Sequence, residues 1–200
     1  MKLIAVSKTK PAEAIKVVYD TGQRDFGENY VAEAVEKILA LESLDIYWHF
    51  LGPLQSNKTR LVATHFDWIH SVDRIKIAKR LNEQRPDELP PLNVCLQVNI
   101  PAEATKSGVS SETELLELAL AINEMDRLAL RGIMAIPAPA ADVGQQREQF
   151  KSIAQLLSIP DLPMQMKELS MGMSGDMESA IAEGATMVRI GTDIFGARYN

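Results

Sequence analysis

Two hundred residues, 46% of them hydrophobic and 24% charged, make an ordinary globular composition, enough for one substantial core and somewhat short of the about 250 residues of a typical (β/α)₈ barrel. A net charge of −6 leaves no basic footprint for a nucleic-acid partner, no apolar run approaches the roughly 18 residues of a membrane span, and the opening KLIAV is too short for a signal-peptide core. The lone Cys95 cannot close an intrachain disulfide and has no zinc-type spacing around it, so the chain reads as one cytoplasmic domain over residues 1–200, expected as a monomer.

Short β-branched runs alternate with longer amphipathic stretches from end to end, the rhythm of β-α units around a parallel sheet. In chain order the pattern predicts a strand over Lys2 to Lys8, a helix over Ala12 to Thr21, a strand over Asp25 to Asn29 and a helix over Tyr30 to Leu44. A strand over Tyr47 to Gly52, a helix over Asn57 to His65, a strand over Trp68 to Asp73 and a helix over Arg74 to Gln84 follow. The Pro-rich stretch from Arg85 to Pro91 is a connection rather than a domain boundary. Beyond it come a strand over Asn93 to Ile100, a helix over Ser111 to Met125, a strand over Leu130 to Pro137 and a helix over Val143 to Leu157. The last elements are a strand over Glu168 to Ser174, a helix over Asp176 to Glu183 and a strand over Met187 to Gly196.

Eight strands and seven helices are the count of a closed (β/α)₈ TIM-type barrel. A doubly wound open sheet competes, but its nucleotide-binding form carries glycines in the first turn, where this chain has SKTKP. The outer ring is one helix short over the closing strands, which predicts exposed apolar surface there.

In a parallel barrel the reacting groups lie at the C-terminal ends of the strands. Read in order, those ends offer Lys8, Glu28 and Asn29, His49, Asp73, Asn99, Ser174, and finally Arg189 with Gly191 and Thr192. Period-2 alternation puts Ile4, Val6 and Lys8 on one face, so Lys8 is directed toward the barrel interior, where desolvation favours the free amine that condenses with an aldehyde. The competing reading has Lys8 reaching from the strand end into solvent. Ser174 and Gly175 stand before a helix, and Gly191 and Thr192 close the last strand; phosphate sites in barrels often form from the loops after strands seven and eight. Ser174 is equally a candidate helix N-cap. Arg189, at inward parity, requires an acceptor: a phosphate, a carboxylate, a ring nitrogen or a structural ion-pair partner. His49 either packs on an aromatic cofactor or is a satisfied core histidine, and Asn29 either donates to a ligand or caps a helix. Met134 fills core or lines the pocket. His65 and His70 lack partners at metal spacing and receive no site.

At VSKTKP, FGENY, WHFLGPLQSNK, RGIMAIP, SMGMSGDME and VRIGTDIFGARY, six motifs in order over essentially the whole chain, the sequence resembles the pyridoxal-phosphate homeostasis (YggS-like) family, related to the barrel domain of alanine racemases. The resemblance implies that Lys8 forms an internal aldimine with pyridoxal 5′-phosphate, that Asn29 and His49 flank the cofactor ring with Met134 at the pocket, that Ser174, Gly191 and Thr192 hold the phosphate, and that Arg189 approaches the pyridine nitrogen. It further implies a carrier that buffers the cofactor or delivers it to pyridoxal-phosphate-dependent apoenzymes, without a catalysed reaction. Members of the family carry about one further helix ahead of the lysine strand, which this chain lacks before Met1.

Two alternatives stay open at this point. A weak amino-acid racemase would need a second acid-base group, for which Tyr30, Tyr47 and Tyr199 are the candidates. A lysine Schiff-base aldolase acting on a phosphorylated sugar would also fit a barrel, a lysine and phosphate loops.

Overall fold

A computed structural model describes residues 1–99 and 107–196. The order is β1 (Lys2–Val6), α1 (Ala12–Asp20), β2 (Asp25–Glu28), α2 (Val31–Ala40), β3 (Tyr47–Phe50), α3 (Thr59–His65), β4 (Trp68–Val72) and α4 (Ile75–Gln84). It continues with β5 (Leu92–Val98), α5 (Glu112–Asn123), β6 (Leu128–Ala135), α6 (Val143–Gln155), β7 (Glu168–Ser170), α7 (Met177–Ala182), β8 (Met187–Ile190) and α8 (Thr192–Phe195). The eight strands form a closed parallel barrel in sequence order, and β8 returns to β1 through the pairs Lys2–Met187 to Ala5–Ile190.

Alternation along the strands sorts the core into two layers. Ile4, Leu51, Cys95, Met134 and Met187 pack inside the barrel, with Val6 and Trp68 against them. Their sequence neighbours, among them Ala5, Phe50, Val94, Ile133 and Val188, point outward and pack with helix residues such as Ile15, Ala34, Val62, Ile77, Leu115 and Phe150. Phe50 and Phe66 meet edge to face at 5.4 Å between ring centroids, a geometry favoured by the ring quadrupoles. Helix starts follow capping chemistry where the sequence offers it: the Ser111 hydroxyl accepts from the Glu114 N–H and Asp142 accepts from the Gln145 N–H.

Several strands stop earlier than the apolar pattern predicts. β1 ends at Val6 because Thr9, at φ 65°, turns the chain; β7 ends at Ser170, just ahead of Gly172 at φ 95°. β3 ends at Phe50 and β6 at Ala135. β8 ends at Ile190, and the segment read as its continuation folds into α8, where the N–H groups of Ile194 and Phe195 donate to the Gly191 carbonyl. That short helix supplies the element missing from the outer ring, with Ile194 and Phe195 packed on the core. Its four residues cover little, and Leu3 on the outward side of β1 remains 39% exposed, as the helix count anticipates. Ile100, the predicted last residue of the fifth strand, lies outside the described residues.

Candidate functional site

The turn carrying Lys8 is held from behind. Ser7 faces the outer layer, where its hydroxyl donates to Glu28 Oε1 at 2.6 Å and its carbonyl accepts from Lys37 Nζ at 2.9 Å. The buried Lys37 ammonium also reaches Glu28 Oε1 at 2.8 Å and Glu33 Oε1, and Glu33 accepts the Thr9 N–H at 2.6 Å. Residues on both sides of Lys8 are thus tied to one buried cation. Lys8 itself is half-buried and lies in the turn after β1, between the outward-facing Ser7 and Thr9. Burial raises the Glu28 carboxyl above the usual range despite Lys37 and Ser7, and its Oε2 has no hydrogen-bond partner among the described residues. Glu28, a strand-end acid in sequence, therefore belongs to this outer clamp.

Asn29 follows β2 at the rim. Its Oδ1 is buried without a partner among the described residues, so this amide has capacity for a ligand. It does not cap α2, whose N-cap position is Tyr30. A pocket of about 550 Å³ opens between the ends of β5 and β6 and helix α6, while a smaller one of about 230 Å³ is lined by Asn29, Leu51, Pro53, Gln97, Val98, Ser107 and Ile136. Gly52 allows this packing, because a Cβ there would stand 2.1 Å from the Asn29 carbonyl oxygen. Gly52→Ala is expected to displace Asn29 and weaken ligand binding about 10-fold, read by titration, with a smaller change in melting temperature.

Arg189 is buried at inward parity on β8. Its Nη1 donates to the Ser170 carbonyl at 2.6 Å and to the Ser170 hydroxyl at 2.9 Å, and its Nη2 donates to the Ala135 carbonyl at 3.0 Å. The sequence offers a structural ion pair as one reading; the partners are instead carbonyls and a hydroxyl. Burial chiefly pulls the guanidinium down to about 10, still charged at neutral pH. Three of its five N–H bonds are used among the described residues, leaving Nε–H and one Nη2–H for a ligand.

His49 has a different place from the one its position near a strand end suggests. It is fully enclosed, its Nε2 lies 2.9 Å from Asp25 Oδ1 and its Nδ1 lies 2.9 Å from His70 Nε2. Its ring stacks on Trp68 at 5.5 Å between centroids. Both nitrogens and one face are therefore committed inside the barrel. Met134 likewise sits in the inner packing layer rather than at an open rim. Cys95 is buried there too, and burial pushes its thiol far up, in keeping with an inert core cysteine.

The two loops read as a phosphate site follow the adjacent strands β7 and β8. Ser174 is exposed in a turn and is not the cap of α7, whose N-cap is Asp176; that carboxylate accepts the Met173 N–H at 2.6 Å. Gly191 precedes α8, and a Cβ there would lie 3.3 Å from the Val6 carbonyl, so glycine lets the last and first strands close tightly. Thr192 is exposed at the first position of α8. Sequence reasoning missed Lys37, Asp25, His70 and Ser170. Inward parity on neighbouring strands is the signal that joins His49 to His70.

The fold thus defines a parallel barrel with a lysine in the turn after its first strand and polar groups at the C-terminal ends of the others. The chain belongs to the alanine racemase N-terminal domain family, whose profile matches residues 1–199. It is 57% identical over 196 residues to the pyridoxal phosphate homeostasis protein of Pseudomonas aeruginosa, covering 98% of this chain and 84% of that one. The protein of the same name from Escherichia coli K12 is 57% identical over 200 residues, covering 98% and 85%. Among solved structures, PipY of Synechococcus elongatus with pyridoxal phosphate bound superposes with a TM-score of 0.87 at 39% identity, over 98% of this chain and 92% of that chain. Histidine racemase from Leuconostoc mesenteroides, 21% identical with a TM-score of 0.75, covers 98% of this chain and 53% of that chain and shares the fold.

Proposed function

We propose that this protein binds pyridoxal 5′-phosphate covalently and reversibly through Lys8, and buffers it or delivers it to apoenzymes without catalysing a reaction of its own. The cofactor supplies an aldehyde that condenses with a lysine amine and, in many enzymes, a protonated ring that accepts electrons. The residues present fit such a group: Asn29 has a buried oxygen without a partner, and Arg189 keeps two N–H bonds uncommitted among the described residues.

Arg189 carries the reading. As the group assigned by resemblance to the pyridine nitrogen, it presents donors only and stays charged at neutral pH, so that nitrogen keeps its lone pair and the ring is a weak electron sink. Asn29 is placed on the ring's side of the pocket, Ser174, Gly191 and Thr192 on the phosphate, and His49 and Met134 act from the packing beneath. A racemase needs a second acid-base group at the same end of the barrel. Of the three candidate tyrosines, Tyr47 stands at the N-terminal end of β3, opposite the rim, and Tyr199 lies outside the described residues, while Tyr30, exposed at the N-cap of α2 next to Asn29, is the candidate at the rim that the turnover assay tests. Among the described residues, no helix is long and apolar enough to cross a membrane, and we place the protein in the cytoplasm as a monomer.

The test is the visible spectrum of the purified protein before and after borohydride, with peptide mapping. A pyridoxyl adduct on Lys8, its loss in Lys8→Ala, and transfer of cofactor to an apoenzyme are expected. Robust turnover of D- or L-alanine overturns the carrier reading, and a sugar adduct on the lysine replaces it with an aldolase.

A further inference from the structure

A continuous line of polar side chains crosses the barrel interior beneath the proposed site. Lys2 Nζ lies 2.8 Å from Asp25 Oδ1, and the same oxygen lies 2.9 Å from His49 Nε2. His49 Nδ1 lies 2.9 Å from His70 Nε2, His70 Nδ1 lies 2.8 Å from the Ser170 hydroxyl, and that hydroxyl accepts from Arg189 Nη1 at 2.9 Å. The line begins with Lys2 on β1 and Asp25 at the N-terminal end of β2, passes through β3, β4 and β7, and ends on β8. His49, His70, Ser170 and Arg189 are all buried.

The proton positions follow by elimination. Asp25 is a carboxylate with two donors on one oxygen, so it only accepts, and His49 Nε2 carries the hydrogen. A neutral His49 then accepts at Nδ1, which requires a hydrogen on His70 Nε2 and a lone pair on its Nδ1. Ser170 must donate there, leaving its oxygen to accept from Arg189. Every link is satisfied in one direction without charging either imidazole. Burial, the dominant influence on both rings, favours that neutral state. An imidazolium at His49 would reverse His70 and leave the Ser170 hydrogen without its acceptor.

We infer that Ser170, His70 and His49 form a directed hydrogen-bond relay, anchored on Asp25, that positions Arg189 for the cofactor. The inference rests on the proposed function for its ligand but not for its geometry. His70 and Ser170 are positioning residues, because they act through Arg189. A glutamine at position 70 also offers a donor and an acceptor on one planar group, whereas leucine offers neither.

The test has two arms. In the first, ¹⁵N NMR of the protein without cofactor is expected to show His49 and His70 both neutral with the hydrogen on Nε2. Ser170→Ala is expected to shift the His70 Nδ1 resonance and that of the Arg189 Nη1 hydrogen that loses its hydroxyl acceptor, while the bonds to the Ser170 and Ala135 carbonyls remain. In the second, cofactor affinity and the absorbance maximum of the bound cofactor are compared across variants. Ser170→Ala and His70→Leu are expected to weaken binding about 10-fold and move the maximum, while His70→Gln stays within about 2-fold of the parent. A hydrogen on His70 Nδ1, or an affinity and absorbance maximum unchanged in both Ser170→Ala and His70→Leu, overturns the relay. A parent protein that binds no cofactor overturns the proposed function instead, and the NMR arm then decides the relay alone.

Discussion

Lys37→Met is expected to destabilise the protein by about 3–5 kcal/mol, because it leaves the Glu28 carboxylate buried without its counter-ion. For a chain of this size that is a fall in melting temperature on the order of 10 °C. The same change removes the donor to the Ser7 carbonyl, so the turn carrying Lys8 loosens and capture of an aldehyde at that amine slows. Calorimetry and the rate at which colour develops with added pyridoxal phosphate check both effects. The pH dependence identifies the cause. Glu28 already has a raised folded pKa, so it binds more protons folded than unfolded, and its contribution declines as pH rises through the ordinary value of 4.5. Losing Lys37 raises it further, so the deficit of the variant grows as pH rises through the parent's raised value, above 4.5, where the parent's Glu28 ionises and the variant's does not. Adding Glu28→Gln removes the stranded charge and recovers part of the loss. By contrast, the exposed i,i+4 pair Lys16–Asp20 is expected to change stability by under about 0.5 kcal/mol when Lys16 is replaced. Equal losses at positions 16 and 37 would show that burial of the pair is not what matters.

The contrast between Lys37 and Lys8 shows what the sequence reveals. Lys8 announces itself because it extends an alternating apolar strand, a local pattern of period two. The same local signals carry the eight strands, the first seven helices and the inward parity of Arg189. Lys37 lies in a helical run with charges on several sides, and only the packing of α2 against β1 and β2 buries it. Strand ends were also obscure, since apolar residues continue past the point where Thr9, Gly172 or Gly191 takes the backbone out of the ladder. His70 gives no local signal because its partners come from register, not spacing: its hydroxyl partner Ser170 is 100 positions away in the chain. For His49 the sequence leaves a place beside a cofactor and a place in the core both open, because WHFLG reads as one strand to Gly52. His49 does stand near the end of its own strand, but the stagger of the barrel sets it in register with Trp68, the first residue of β4, so the imidazole lies inside, stacked on Trp68.

The buried histidine pair makes a second large effect predictable, a loss of stability in mild acid. Both rings are held below the ordinary value of 6.5, His70 well below it, with burial as the leading cause. The charged groups facing the pair are Asp25, Lys2, Asp67 and Arg189; Asp25 favours protonation of His49, while Lys2 opposes it on both rings and Arg189 on His70. A histidine kept neutral when folded binds fewer protons than in the unfolded chain below pH 6.5. Stability is therefore complete above that value and falls as pH drops, by at most about 1.4 kcal/mol per pH unit for each ring. By pH 5 the His70 share amounts to at most about 2 kcal/mol. Carboxylates do not produce this limb. Glu28 and Asp67 have raised values and contribute the opposite slope nearer their ordinary values of 4.5 and 3.8, and the lowered Asp25 loses its stabilising share only as pH falls below 3.8. His70→Gln keeps a donor and an acceptor in place and cannot titrate, so its urea-unfolding free energy should match the parent near pH 7.5 and fall less steeply between pH 6.5 and 5. A parent curve that is flat across that interval would mean that the rings take up protons without cost, and a variant curve parallel to a falling parent curve would place the limb on a group other than His70.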